Sequence, residues 1–189
     1  MSNKRFYSER NALYATLPYA RLILNAGCGS GAFMRYYPHD NSFVINVDNA
    51  SDDSVGWPAW GIENRGWSGW CEYSKDNLTV KNVVADVRNL SNFPNKFFDG
   101  AVLGQVIEHM TVDDAHLAIE EVACVLDTGG WLQIDTPNVD HPIKDYKTDH
   151  TKEYTAEELK QLVDAHGFEL VDFRGIADDY CWWAVWRKL

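Results

Sequence analysis

The chain has 189 residues, 46% of them hydrophobic and 24% charged, with a net charge of −11 at neutral pH. These proportions exclude a disordered segment, and no apolar run is long enough to span a bilayer. The negative balance opposes phosphate backbones and anionic membranes, which need clustered Lys and Arg. The length fits one domain over 1–189. No apolar signal-peptide core follows the first residues, which points to a cytoplasmic protein. Cys28, Cys71, Cys124 and Cys181 form no Cys-x-x-Cys pair, so neither a zinc knuckle nor a disulfide framework is expected.

In chain order, a short helix is expected over 6–17, ending before Pro18. The apolar run Leu22-Ile23-Leu24 then breaks into Gly27, Gly29 and Gly31. That pattern reads as a buried parallel strand, a tight turn and a helix N-terminus over about 32–37, stopped by Pro38. Glycine suits such a turn because a side chain would block close backbone approach to a ligand or forbid positive φ. A second strand, 43–47, ends in Asp48, where doubly wound folds grip ribose hydroxyls. The Gly-x-Gly-x-Gly spacing differs from the dinucleotide fingerprint and suits a single nucleoside.

The segment 51–78 carries Trp57, Trp60, Trp67, Trp70 and Tyr73 without helical or strand periodicity. It reads either as a loop packed by its own aromatics or as a wall over a substrate pocket. Strands are then expected over 82–85 and 97–103. A helix over 112–126 is capped by Thr111 and closed by Gly129-Gly130, and a further strand covers 131–135. Thr155, with Glu158 in a capping box, starts a helix over 156–166 that stops at Gly167. Two strands, 168–173 and 180–187, close the chain as an antiparallel pair. Alternating strands and helices define a three-layer α/β fold with a mostly parallel sheet. His116 and His141 read as surface residues, and Asp178-Asp179 as a turn.

The ordered set Leu24-Asn25-Ala26-Gly27-Cys28-Gly29-Ser30-Gly31, Val47-Asp48, Ala85-Asp86-Val87, Phe98-Asp99-Gly100-Ala101-Val102, Val106-Ile107-Glu108-His109, Leu126-Asp127-Thr128-Gly129-Gly130 and His166-Gly167-Phe168 resembles the class I S-adenosylmethionine-dependent methyltransferases. The resemblance implies a Rossmann-like, seven-stranded sheet with helices on both faces and an antiparallel last strand. It implies that the Gly27, Cys28, Gly29 and Gly31 turn holds the methionine part of S-adenosylmethionine. Asp48 would hold the ribose and Asp86 with Val87 the adenine, with Asn49 and Gln105 completing the cofactor-binding set. Where the family usually carries an acid facing the methionine ammonium, this chain has Asn25, which accepts a hydrogen bond but supplies no charge.

Gln105-Val106-Ile107-Glu108-His109 followed by Asp149-His150 is also similar to two metal-assisted branches, the small-RNA 3′-terminal 2′-O-methyltransferases and the ubiquinone-pathway O-methyltransferases. That similarity implies Glu108, His109 and His150 as ligands of a divalent metal, with Gln105 in the fourth position. A carboxylate with two imidazoles suits a transition metal. The same residues without a metal give a base or substrate contact at His109 or His150. The function expected is methyl transfer to a hydroxyl or amine of a small-molecule acceptor. The alternatives are RNA 2′-O-methylation, disfavoured by charge, and a non-catalytic cofactor-binding subunit.

Overall fold

The structure, a computed structural model, describes residues 3–28, 33, 36–49, 72–75, 78–143 and 149–189. Gly29, Gly31 and the four tryptophans of 51–71 lie outside the described residues, as does half of the helix expected over 32–37.

Among the described residues, eight strands form one sheet: β1 Leu22–Ala26, β2 Phe43–Asp48, β3 Glu72–Lys75, β4 Leu78–Val84, β5 Phe98–Gly104, β6 Leu126–Pro137, β7 Phe168–Ile176 and β8 Cys181–Lys188. Their spatial order is β3-β4-β2-β1-β5-β6-β8-β7. The pairs β1–β2, β1–β5, β2–β4 and β5–β6 are parallel, and β8 runs antiparallel to both β6 and β7. The mostly parallel sheet with an antiparallel last strand thus matches expectation. An eighth strand is added at the edge. β3 pairs antiparallel with β4 and comes from the end of the segment expected to be irregular.

Period-two alternation along buried strands sorts side chains onto two faces. Leu24, Ala26, Ala101, Leu103, Leu132 and Ile134 pack under helices α2 (Val112–Val125) and α3 (Ala156–Asp164). Ile23, Val44, Val80, Val102 and Trp131 face the other way, with Phe6 and Tyr14 of helix α1 (Asn3–Tyr14) in the same cluster. Helices therefore cover both faces. Thr111 and Thr155 accept the backbone N–H groups of Asp114 and Glu158, as their capping sequences dictate, and Glu158 completes the reciprocal box.

Gly129-Gly130 does not close α2. The chain passes directly from Val125 into β6 at Leu126, and Gly129, at φ +83°, lies inside that strand beside the register shift against β5. α1 also sits three residues earlier than expected. Its Glu9 accepts the Ala177 N–H, and Arg5 forks onto Asp178, so it is pinned to the β7–β8 turn. That turn holds Ala177, Asp178 and Asp179 at positive φ.

His116 is not a bare surface residue. Its Nδ1 lies 2.9 Å from Nε2 of His166, linking α2 to the end of α3. Burial, then the neighbouring His116, lowers the His166 pKa below its usual 6.5, with Glu120 opposing and Lys188 assisting. A depressed basic group adds stability above its unfolded pKa and loses it as pH falls through the folded value. The melting temperature of the wild type is therefore expected to drop relative to His166→Gln as pH falls below 6.5. Parallel melting curves of the two proteins across pH 5–7.5 would contradict this. His116 is half-buried, whereas His141, also expected at the surface, is buried, its ring edge-on to Tyr180 at 5.4 Å.

Candidate active site

The site lies where β1, β2, β4, β5 and β6 end at their carboxyl edges, the crevice that open α/β sheets offer to ligands. Gly27 turns the chain at φ +63°, and its N–H donates to Val47 O at 2.7 Å. A Cβ here would lie 2.5 Å from Val106 Cγ2, so two constraints converge on glycine.

Beside this turn opens a cavity of about 460 Å³ lined by Gly27, Asp48, Asn49, Asp86, Val87, Gln105 and His109, among others. Asp48 and Asn49 stand at the end of β2. Val87 is buried, and the Asp86 carboxylate is gripped by Arg88, which also reaches Asp114 at 3.0 Å. The hydrogen bonds from Arg88 hold the Asp86 carboxyl below the usual carboxylate range. A second cavity of about 320 Å³ lies under α1, lined by Arg10, Tyr14, Asn25, Cys28 and Phe33. Gly27 and Gln105 line both. The structure thus gathers Asn25, Gly27, Cys28, Asp48, Asn49, Asp86, Val87 and Gln105 around two neighbouring cavities that share Gly27 and Gln105 as walls.

Gln105 holds φ +59°, uncommon for a side chain of its size and a mark of local constraint. Its N–H donates to Asp135 O, while Nε2 donates to Asp135 Oδ1 at 3.0 Å and approaches Cys181 Sγ. Asp135 is fully buried and also accepts from Tyr14 Oη at 2.9 Å and Gln133 Nε2 at 3.1 Å. The guanidinium of Arg10 lies 3.4 Å from the same carboxylate, stacked among Phe6, Tyr7 and Tyr14. Burial, then Asp135, keeps Tyr14 protonated by raising its pKa well above 10. Gly104 permits this packing, because a Cβ there would sit 2.6 Å from Tyr14 Oη. None of Arg10, Tyr14, Gln133 or Asp135 was singled out by sequence. Their signal is an isolated charge in an apolar strand, and the partners of Asp135 stand 121 and 125 residues away.

Glu108, His109 and His150 do meet. Each offers a ligand atom within 4.8 Å of the others, and the two imidazoles stand edge-on at 5.1 Å. The turn Ile107–His109 follows β5, and the Glu108 carbonyl accepts N–H groups of Thr151 and Lys152, docking the loop that carries His150. His150 Nδ1 lies 3.0 Å from Glu153, and His109 Nδ1 lies 3.2 Å from Asp149. One Glu108 oxygen accepts from Thr136 Oγ1 at 3.0 Å, and the other is buried without a partner. Burial above all, then the Asp135 and Glu153 carboxylates, raises the Glu108 pKa to about 8. A partnerless buried oxygen beside two imidazoles fits a divalent cation, which would keep the carboxylate ionised. Gln105 is turned toward Asp135 and Cys181 instead of completing that set.

A seven-strand core of this order, with a glycine turn and an acid at the end of β2, defines the class I S-adenosylmethionine-dependent methyltransferase fold. The chain belongs to the methyltransferase domain family, whose profile matches residues 24–134. It is 35% identical over 117 residues to a Mycolicibacterium smegmatis protein named "Probable S-adenosylmethionine-dependent methyltransferase". That alignment covers 53% of this chain and 44% of the relative, so the chain spans less than half of that curated protein.

Among solved structures, a Methanosarcina mazei S-adenosylmethionine-dependent methyltransferase superposes with a TM-score of 0.68 at 20% identity, covering 94% of this chain and 96% of the other. The Burkholderia thailandensis 1,6-didemethyltoxoflavin-N1-methyltransferase, solved with 1,6-didemethyltoxoflavin and S-adenosylhomocysteine, gives 0.68 at 21% identity over 99% and 78%. These likenesses establish the fold. Among the described residues no helix is long and apolar enough to cross a membrane.

Proposed function

We propose that the chain, as a single domain over 1–189, transfers the methyl group of S-adenosylmethionine to a hydroxyl or amine of a small molecule. The observation that carries this reading is the pair of neighbouring cavities with shared walls. One presents Asp48, Asn49, Asp86 and Val87 to a nucleoside, the other presents Asn25 and Arg10 to an amino-acid tail, and Gly27 and Gln105 line both. The bound cofactor supplies a sulfonium methyl, an electrophile already activated for in-line displacement. What remains for the protein is orientation and removal of the acceptor proton, of which orientation contributes about 7–11 kcal/mol in favourable cases.

His109 lines the nucleoside cavity and is oriented by Asp149, which suits it to take the acceptor proton. Cavities of this size and a net charge of −11 favour a small acceptor over RNA. The structurally similar N1-methyltransferase solved with 1,6-didemethyltoxoflavin is in keeping with this. A second reading is favoured by the open oxygen of Glu108: a divalent cation held by Glu108, His109 and His150, which would lower the pKa of an acceptor hydroxyl.

Titration with S-adenosylhomocysteine, followed by turnover on a panel of small hydroxyl and amine acceptors without RNA, tests the proposal. Binding in the micromolar range with RNA-independent turnover is expected. Activity confined to RNA, with salt-sensitive retention on a polyanion resin, would replace it with the RNA reading.

A further inference from the structure

Three asparagines stand side by side on neighbouring parallel strands, running from β1 out to β4. Asn25 of β1 is in register with Asn46 of β2, and Asn46 with Asn82 of β4. All three are buried, on the same face as Ile23, Val44 and Val80. Asn25 Nδ2 donates to Asn46 Oδ1 at 2.8 Å, and Asn46 Nδ2 donates to Asn82 Oδ1 at 2.8 Å. Central parallel strands ordinarily carry apolar runs, and a buried amide without a partner is costly. Valine at these positions would satisfy the sheet, as it does one pair earlier at Val44 and Val80. The row therefore needs a reason beyond packing.

Its inner end supplies one. Asn25 lines the cavity under α1, close to Gly27 and Gln105. With one Nδ2 hydrogen committed sideways to Asn46, Oδ1 is the acceptor that Asn25 has left for that cavity. A carboxamide has two edges of nearly one shape but opposite hydrogen-bonding sense. A lone asparagine here could turn either edge to a ligand. In the ladder, Asn82 fixes the sense of Asn46, and Asn46 fixes that of Asn25, so the row can flip only as a whole. A carboxylate at position 25 would have no such ambiguity, because both of its oxygens accept.

We propose that Asn46 and Asn82 are positioning residues: through the amide row they hold Asn25 Oδ1 toward the cavity, where it accepts from the α-ammonium of the cofactor's amino-acid tail. An oriented dipole thereby takes the place of a charge. This rests on the cofactor reading above, and the two can fail separately.

The test compares two ligands, S-adenosylhomocysteine and 5′-methylthioadenosine, which shares the nucleoside but lacks the amino acid. Calorimetric titration of the wild type, Asn46→Leu and Asn82→Ala is followed with both. The expected result is a loss of about five- to tenfold in affinity for S-adenosylhomocysteine, in line with one weakened hydrogen bond to a charged group. Affinity for methylthioadenosine should stay unchanged. Asn82→Ala, at the outer end of the row, carries the comparison if Asn46→Leu does not fold. In an Asn25→Asp background the preference for S-adenosylhomocysteine should become insensitive to Asn82→Ala. Equal losses for both ligands, or no loss for either, would overturn the relay. Failure of the wild type to bind S-adenosylhomocysteine at all would instead overturn the cofactor reading.

Discussion

Asp48→Ala is expected to weaken S-adenosylhomocysteine binding at least a hundredfold, and Gly27→Ala to remove it. Asp48 ends β2 beside the nucleoside cavity, where its carboxylate can accept both hydroxyls of a ribose. Hydrogen bonds to a charged group contribute about 1.5–3 kcal/mol each. Two of them exceed the roughly 2.8 kcal/mol that corresponds to a hundredfold change. Gly27 acts by shape. Alanine there must adopt left-handed backbone and push its Cβ against Val106, and relief of that contact moves the turn into the space a ligand would fill. Isothermal titration at a temperature where circular dichroism shows intact sheet measures both effects. Wild-type affinity in Asp48→Ala would show that the ribose lies elsewhere.

His109→Ala is expected to lower kcat by about 10²–10⁴ while leaving the cofactor KM near its wild-type value, the usual contribution of a positioned general base. His109 reaches the cavity from the turn after β5, and Asp149 engages its far nitrogen, an arrangement that leaves Nε2 to face an acceptor. Steady-state kinetics of this variant, with and without excess chelator, separates the two chemistries. A base works in chelator, and its loss is then the whole effect. If a cation is held, chelator silences the wild type, and Glu108→Ala and His150→Ala abolish turnover as thoroughly as His109→Ala. Full activity of His109→Ala would remove this residue from the chemistry altogether.

The parts of this site that depend on neighbours in sequence were legible from the chain alone. The run Leu22-Ile23-Leu24 before Gly27, and Phe43 to Val47 before Asp48, each encode a strand and its end within a few residues. Thr111 and Thr155 encode helix starts the same way. Gly129-Gly130 misleads because a glycine pair after a helix ordinarily stops it. Here the helix already ends at Val125, where Leu126 is drawn into the sheet opposite Phe98. Asp135 was illegible, since nothing near it announces that residues of the first helix will close over it. Asn46 and Asn82 show as polar breaks in apolar runs, but their alignment with Asn25 depends on strand register, which pattern alone does not give. The pairing of His116 with His166 likewise exists only once α2 and α3 pack together.

The clasp between α1 and the β7–β8 turn has a bearing on how the molecule is made. Arg5 meets Asp178 across 173 positions, and Glu9 meets Ala177 across 168. At ordinary translation speeds of about 5–20 residues per second, α1 waits on the order of ten seconds or more before its anchor has been made. The nascent polypeptide can assemble β1, β2, β4 and β5 in that interval, but not the chamber roofed by Arg10 and Tyr14. The candidate cofactor cavity under α1 is thus completed late, once the β7–β8 turn has emerged.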